Sequence, residues 1–223
     1  MRDSHEEGLR EQLARQANSE RGGWKVGLTS GASRNAMGKG FRPFGHIARN
    51  RIFDSGATIR LSDVNSIGVE NELCFQFAET VPMDADRAGL IGCIAAVKPA
   101  FELNQGRLSP DATDRDRLAD NLSQYGIVVG KGQELSMLAE LPSLDVALFR
   151  DETLEAKVAS EGHIDDHFDS LLALVQSLAH FRLQIESGDH VITGAYGRAT
   201  VTDPAVWRGE FSLDIGSVAV KFE

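Results

Sequence analysis

The segment Val69-Glu70-Asn71-Glu72-Leu73-Cys74-Phe75-Gln76-Phe77 constrains this chain more than any other. Its β-branched and aromatic residues predict a strand, and strand side chains alternate between faces. Glu70 and Glu72 therefore project to one side, about 6.6–6.8 Å apart along the chain, while Asn71, Leu73, Phe75 and Phe77 project to the other. Carboxylates at that spacing repel, and one takes up a proton unless a cation lies between them. A hard divalent ion such as Mg²⁺ or Mn²⁺ resolves the conflict, because both favour oxygen ligands. The plain alternative is an edge strand whose two glutamates face water. The spacing alone does not decide between them.

A third carboxylate bears on the choice. Glu102 sits in the apolar run Val97-Lys98-Pro99-Ala100-Phe101-Glu102-Leu103, where an uncompensated charge is costly. It is either an ion-pair partner of Arg107 or Lys98, or the third member of a carboxylate set. The set would leave positions for a water and for the two oxygens of a 2-oxo carboxylate. Lys25, inside Gly23-Trp24-Lys25-Val26-Gly27-Leu28-Thr29-Ser30, reads on its own as a strand-edge lysine facing solvent.

Elsewhere the spacing of Leu9, Leu13 and Ala17 predicts an amphipathic helix over residues 4–20. Strands are expected at 24–30, 57–61, 68–78, 95–103, 125–129 and 218–222, and from 188–194 a turn running into a strand. Residues 31–51 read as loop with one helical turn at 33–37. Helices are expected at 83–92, 114–123 and 167–182, the last with Phe168, Leu171, Leu172, Leu174, Val175 and Leu178 as its apolar face. Pro142 to Gly162 reads as a strand and an acidic turn. Many short strands and few helices give an α+β fold built on a mixed β-sandwich or roll. A chain of 223 residues is enough for a short N-terminal helical segment, 1–22, and one catalytic domain, 23–223.

The net charge of −10 argues against nucleic acid as a partner, since phosphate binding draws on Lys and Arg. Cys74 and Cys93 lie in apolar stretches and read as buried free thiols. With no apolar run of about 18 residues and no signal-peptide core, neither a membrane span nor export is expected, and the expected location is the cytoplasm. Gly38-Lys39-Gly40 is too short for a phosphate-binding loop.

Several blocks carry a resemblance. Gly23-Trp24-Lys25-Val26-Gly27-Leu28-Thr29-Ser30, Val69-Glu70-Asn71-Glu72-Leu73-Cys74-Phe75, Pro99-Ala100-Phe101-Glu102, Asp116-Arg117-Leu118-Ala119-Asp120-Asn121-Leu122-Ser123, Gly188-Asp189-His190-Val191-Ile192-Thr193-Gly194-Ala195 and Ile215-Gly216-Ser217-Val218-Ala219-Val220 follow one another along the chain. In that order they resemble motifs of the 2-keto-4-pentenoate hydratase and 4-oxalocrotonate decarboxylase family, within the fumarylacetoacetase superfamily. The segment before the lysine motif is shorter than in that family. Arg42-Pro43-Phe44-Gly45 is a residue shorter than its counterpart, and Gly106 stands where the family has Ser.

The resemblance implies a fold of the fumarylacetoacetase C-terminal type and Mg²⁺ or Mn²⁺ on Glu70, Glu72 and Glu102. It implies that Lys25 and Ser123 act at the substrate, and that Thr193 and Gly194 line the site from another strand. Asp120 and Asn121 would shape the backbone there, and Arg107 fits equally as a structural ion-pair partner. The activity implied is a lyase that hydrates a 2-hydroxy-2,4-dienoate in aromatic compound catabolism, in a homo-oligomer. The alternatives are a 4-oxalocrotonate-type decarboxylase, an acylpyruvate hydrolase, or a non-catalytic partner subunit. A hydrolase needs a His–Glu pair, and His46, His163, His167 and His180 read as loop, surface or packed residues.

Overall fold

A computed structural model of the chain describes residues 3–133 and 141–223. Helix α1 spans Asp3–Gln16 and is followed by β1 (Arg21–Val26), β2 (Phe44–Ala48), β3 (Ile52–Asp54), β4 (Ala57–Ile59) and β5 (Ile67–Phe77). Then come α2 (Arg87–Gly92), β6 (Ile94–Gln105), α3 (Asp114–Ala119), β7 (Gln124–Val129), β8 (Asp145–Arg150) and β9 (Thr153–Ala159). The chain closes with α4 (His167–His180), β10 (His190–Thr193), β11 (Arg198–Thr200), β12 (Ala205–Phe211) and β13 (Gly216–Phe222). This is the α+β fold of two sheets and few helices that the pattern predicts.

The larger sheet has the order β2-β1-β10-β5-β6-β7-β3, with β11 pairing with β5 beside that path. The smaller has the order β4-β13-β12-β8-β9. Alternation along β13 does what it should: Val218, Val220 and Phe222 are fully buried. They join Trp207 and Phe211 of β12, Leu73 and Phe75 of β5, Phe101 of β6 and Phe168, Leu171 and Leu174 of α4 in the main core. Asp166 caps α4, its carboxylate accepting from the amides of Phe168 at 2.9 Å and Asp169 at 3.0 Å, which satisfies donors that the first helical turn leaves without partners.

The opposite face of the larger sheet holds a second, smaller cluster of Ile47, Cys74, Ala100, Ile127, Val129 and Ile192, with Ile52 against it. These residues come from both ends of the strand order. β2 and β7 share no ladder yet pack together, so the sheet curls into a roll with this cluster inside it.

Several expectations need correction. Residues 44–48 form β2 rather than loop, and its Gly45 and His46 hide the strand pattern. His46 is thus a buried strand residue. In α1, Leu9 is buried with the polar His5 and Gln12. Ala17 lies beyond the helix, and the Gln12 amide nitrogen donates to the Phe44 carbonyl at 2.9 Å. Helix α2 begins only after its cap Asp86, and residues 145–159 form a β8–β9 hairpin. Strands β3, β11 and β12 went unpredicted, and helix α3 stops at Ala119, for a reason that bears on the site below.

His167, at the start of α4, is buried with its Nε2 2.9 Å from the Tyr196 hydroxyl; that hydroxyl also accepts from Ser160 Oγ at 3.0 Å. Burial holds the imidazole down to about 4, against about 6.5 in an unfolded chain. The folded protein therefore keeps His167 neutral. The stability this contributes is complete above about 6.5 and is lost as pH falls through the folded value. Between pH 7 and 5 the wild type should lose about 1–2 kcal/mol more than His167→Gln in urea titrations. Groups common to both proteins cancel in that difference, and equal losses refute the assignment.

Candidate metal and substrate site

Register brings the third carboxylate to the first two. β5 and β6 pair antiparallel with Glu70 opposite Glu102 and Glu72 opposite Ala100, so all three glutamates share one face. Their carboxylate oxygens lie within 4.8 Å of one another, a spread that one hard cation with bonds of about 2.1–2.5 Å can bridge. Glu72 is 4% and Glu102 5% exposed. Lys25 reaches the same face through β10: it pairs with Ile192, which pairs with Cys74.

Lys25 is 6% exposed, so it is no solvent-facing lysine. Its Nζ makes a short contact with Glu102 Oε1 and donates to the Leu122 carbonyl at 2.9 Å. Glu102 thus pairs with neither Arg107 nor Lys98; Arg107 instead pairs with Asp120 at 2.9 Å. Glu70 Oε1 accepts from Asn104 Nδ2 at 2.9 Å, and its Oε2 lies 3.5 Å from Arg198. Glu72 Oε2 is buried and has no partner.

Burial, and after it the charge of Glu102, push Glu70 and Glu72 above the usual carboxylate range. Two carboxyls that resist ionisation beside an orphaned buried oxygen are what a cation site looks like without its cation. The donor set, all carboxylate oxygen, fits Mg²⁺ or Mn²⁺. Cys74 lies on the same face, where burial pushes its thiol up to about 12 and leaves it inert.

The glutamates open into a cavity of about 630 Å³. Lys25, Ser123 and Gly194 line it, and so do Thr29, Ser30, Asn104, Arg117 and Arg198. Thr193 does not. It pairs with Leu73 and Val26, which places its side chain on the sheet face opposite Glu72, fully buried. No histidine lines the cavity among the described residues.

Helix α3 ends early because the chain turns left-handed. Asn121, Leu122 and Ser123 have φ of 60°, 52° and 63°, each costing an L-residue about 1–2 kcal/mol. Asn121 holds the turn: its Oδ1 accepts from the His46 amide at 2.7 Å and its Nδ2 donates to the His46 carbonyl at 2.8 Å. The reversal aims the Leu122 carbonyl at Lys25 and sets Ser123 in the cavity wall. The Asp-Asn-x-Ser pattern points to this segment but not to its hand. Asn104 was missed although it follows Glu102 at the same-face spacing of two; Arg117 and Arg198 carry no such signal.

Gly45 makes room for the lysine. A Cβ there would lie 2.8 Å from Lys25 Cγ and 3.2 Å from Asn121 Oδ1. Gly45→Ala should therefore fold, since a flexible stem yields, but with Lys25 displaced. We expect any turnover at this site to fall on the order of 10²-fold, with a melting temperature within a few degrees of wild type. Unchanged turnover disproves this role for Gly45.

No family model matches the chain. It is 25% identical over 211 residues to 2-keto-4-pentenoate hydratase of Paraburkholderia phymatum, covering 93% of this chain and 80% of that protein. It is 25% identical over 218 residues to 2-oxo-hept-4-ene-1,7-dioate hydratase of Escherichia coli, covering 90% of this chain and 78% of that one. Its fold matches 4-oxalocrotonate decarboxylase of Pseudomonas putida G7, solved with magnesium and adipate, at a TM-score of 0.82 and 22% identity, over 96% of this chain and 81% of that one. Motif order and similarity along nearly the whole chain agree with the shared fold: the chain is similar in sequence to 2-keto-4-pentenoate hydratases and has the fold of 4-oxalocrotonate decarboxylase.

Proposed function

We propose that this protein is a divalent-metal-dependent hydratase that adds water to a 2-hydroxy-2,4-dienoate and yields a 4-hydroxy-2-oxo acid. The observation that carries the reading is the trio of buried Glu72 and Glu102 with half-buried Glu70, facing Lys25 inside one cavity. The hydratase relatives support it, and so does the magnesium held by a protein of the same fold.

Glu70, Glu72 and Glu102 would hold Mg²⁺ or Mn²⁺. Bound there, the ion supplies Lewis acidity toward the substrate's carboxylate and 2-oxygen. Lys25 stands beside them, its Nζ oriented by the Leu122 carbonyl. It offsets negative charge on the 2-oxygen as the enol loses its proton, and carries that proton to C5 as the 2-oxo-3-enoate forms. The wall formed by Val26 to Ser30 with Gly194 and Ala195 limits bulk water around the conjugated chain. The hydroxyl of a water then adds at C4 and that water's proton at C3. Ser123, which also lines the cavity, orients the substrate by hydrogen bonding.

A cytoplasmic location, a homo-oligomer and the division into segment 1–22 and catalytic unit 23–223 belong to the same proposal and rest on the sequence. Among the described residues no helix is long and apolar enough to cross a membrane.

The test is turnover of a dienoate panel by the purified chain with Mg²⁺ or Mn²⁺, alongside calorimetric metal titration. Chelator should abolish turnover, and Glu72→Gln should weaken metal binding by at least about tenfold and lower turnover with it. Full activity in chelator refutes the scheme. Carbon dioxide release in place of a hydrated product replaces hydration with decarboxylation. An inert chain that binds metal and a homologous enzyme marks a partner subunit.

A further inference from the structure

Gly27, Gly68, Gly106 and Gly194 line the cavity, and all but Gly68 have a structural reason to lack a side chain. Gly194 has a φ of 82°, a left-handed backbone that favours glycine. A Cβ at Gly27 would lie 3.2 Å from Leu122 Cδ1 and 3.3 Å from Pro43 Cγ, and one at Gly106 would lie 3.2 Å from Ser66 Cβ. Those approaches are closer than packed carbons favour.

Gly68 is free of such demands. It lies inside β5 with a strand on either side, opposite Asn104 of β6 and Thr200 of β11, and its φ is not positive. The β5–β6 register runs unbroken through it, so no bulge calls for it. A Cβ there would meet the Ala199 carbonyl at 3.4 Å and Asn104 Cβ at 3.9 Å, both ordinary contacts. Glycine within a strand weakens it; where neither bulge nor bend explains the residue, the remaining cause is close approach by something else.

Its position says what approaches. Alternation puts the missing side chain on the face of Glu70 and Glu72, about 6.6–6.8 Å along the strand beyond Glu70. In the other direction the same row meets Cys74, packed with Ile192 and Ala100 in the cluster that fills the roll. A chain extending from the glutamates along this row therefore runs toward Gly68, between walls that include Ser66, Asn104 and Thr200. The step from Glu70 is comparable to the length of a conjugated five-carbon acid, so atoms beyond the fifth carbon lie over Gly68.

We propose that Gly68 sets the length of acid this site accepts, its missing side chain being the space that the tail of the acid fills. This rests on the reading of the glutamate site given above and adds the residue that limits chain length, whatever group ends the tail. A side chain at position 68 occupies that space and leaves the glutamates, Lys25 and the first five carbons untouched.

The experiment is binding without turnover. Wild type, Gly68→Ala and Gly68→Val, each loaded with Mg²⁺, are titrated calorimetrically with 2-oxopentanoate, 2-oxohexanoate, 2-oxoheptanoate and 2-oxooctanoate. Wild type should bind the longer acids at least as tightly as 2-oxopentanoate. Gly68→Val should weaken 2-oxooctanoate at least about tenfold and 2-oxopentanoate less than about threefold, with Gly68→Ala in between. The Mg²⁺ affinity measured without acid should not change, and the melting temperature should not fall, since valine favours a strand. A wild type that rejects acids longer than 2-oxopentanoate overturns the proposal. So does a Gly68→Val effect that is absent or equal at every length, and so does a Gly68→Val chain that fails to fold, which makes the glycine structural. These outcomes leave the metal site standing. A wild type that takes up neither Mg²⁺ nor any of the acids overturns the site reading and the proposal together.

Discussion

Three carboxylates crowded on one face of a sheet, most of their surface withdrawn from water, must have positive charge among them or give up their own. Lys25 supplies part of it by pairing with Glu102, yet Glu72 keeps a buried oxygen without a partner. Removing either Lys25 or Glu102 leaves the other buried without its counter-charge, which is strongly destabilising. The surroundings follow from this requirement. β10 carries Lys25's strand to β5, Asn104 and Arg198 hold Glu70 from the side, and inert side chains such as Ile192 and Ala100 fill the roll beneath.

The lysine has its own support, built at some expense in backbone strain. The left-handed turn at Asn121–Ser123 has no glycine to ease it. It persists because Asn121 is clamped on both sides by the His46 backbone and because Leu122 turns its carbonyl to Lys25. Strain of this kind concentrates where a group must be held in one orientation. Gly45, on the strand between them, leaves the space through which the lysine stem passes.

The parts of the site that were legible in the sequence are those that a period of two reveals. Glu70 and Glu72 announce a shared face, and Glu102 is conspicuous as a charge in an apolar run. That Glu102 stands opposite Glu70 is a matter of register, which depends on how two strands some thirty residues apart align and leaves no local mark. Thr193 shows the converse: the same alternation that places Val191 in the main core places Thr193 there too, and proximity to Gly194 in the motif misled. The alternation of Ala205, Trp207 and Phe211 in β12 was readable and passed over. The left-handed turn was not readable, because Leu and Ser favour it no more than they favour the helix expected there.

The site's parts are distant in the chain. Lys25 meets Glu102 across 77 residues and Leu122 across 97, and Asn121 meets His46 across 75. Contacts of such separation close late, after the entropy of long loops has been overcome. A half-folded chain therefore owns no ion site, only scattered acids. A cation that binds the finished roll and not its precursors draws the population toward the finished roll by mass action, so the ion's availability would set how much of the newly made protein stays closed.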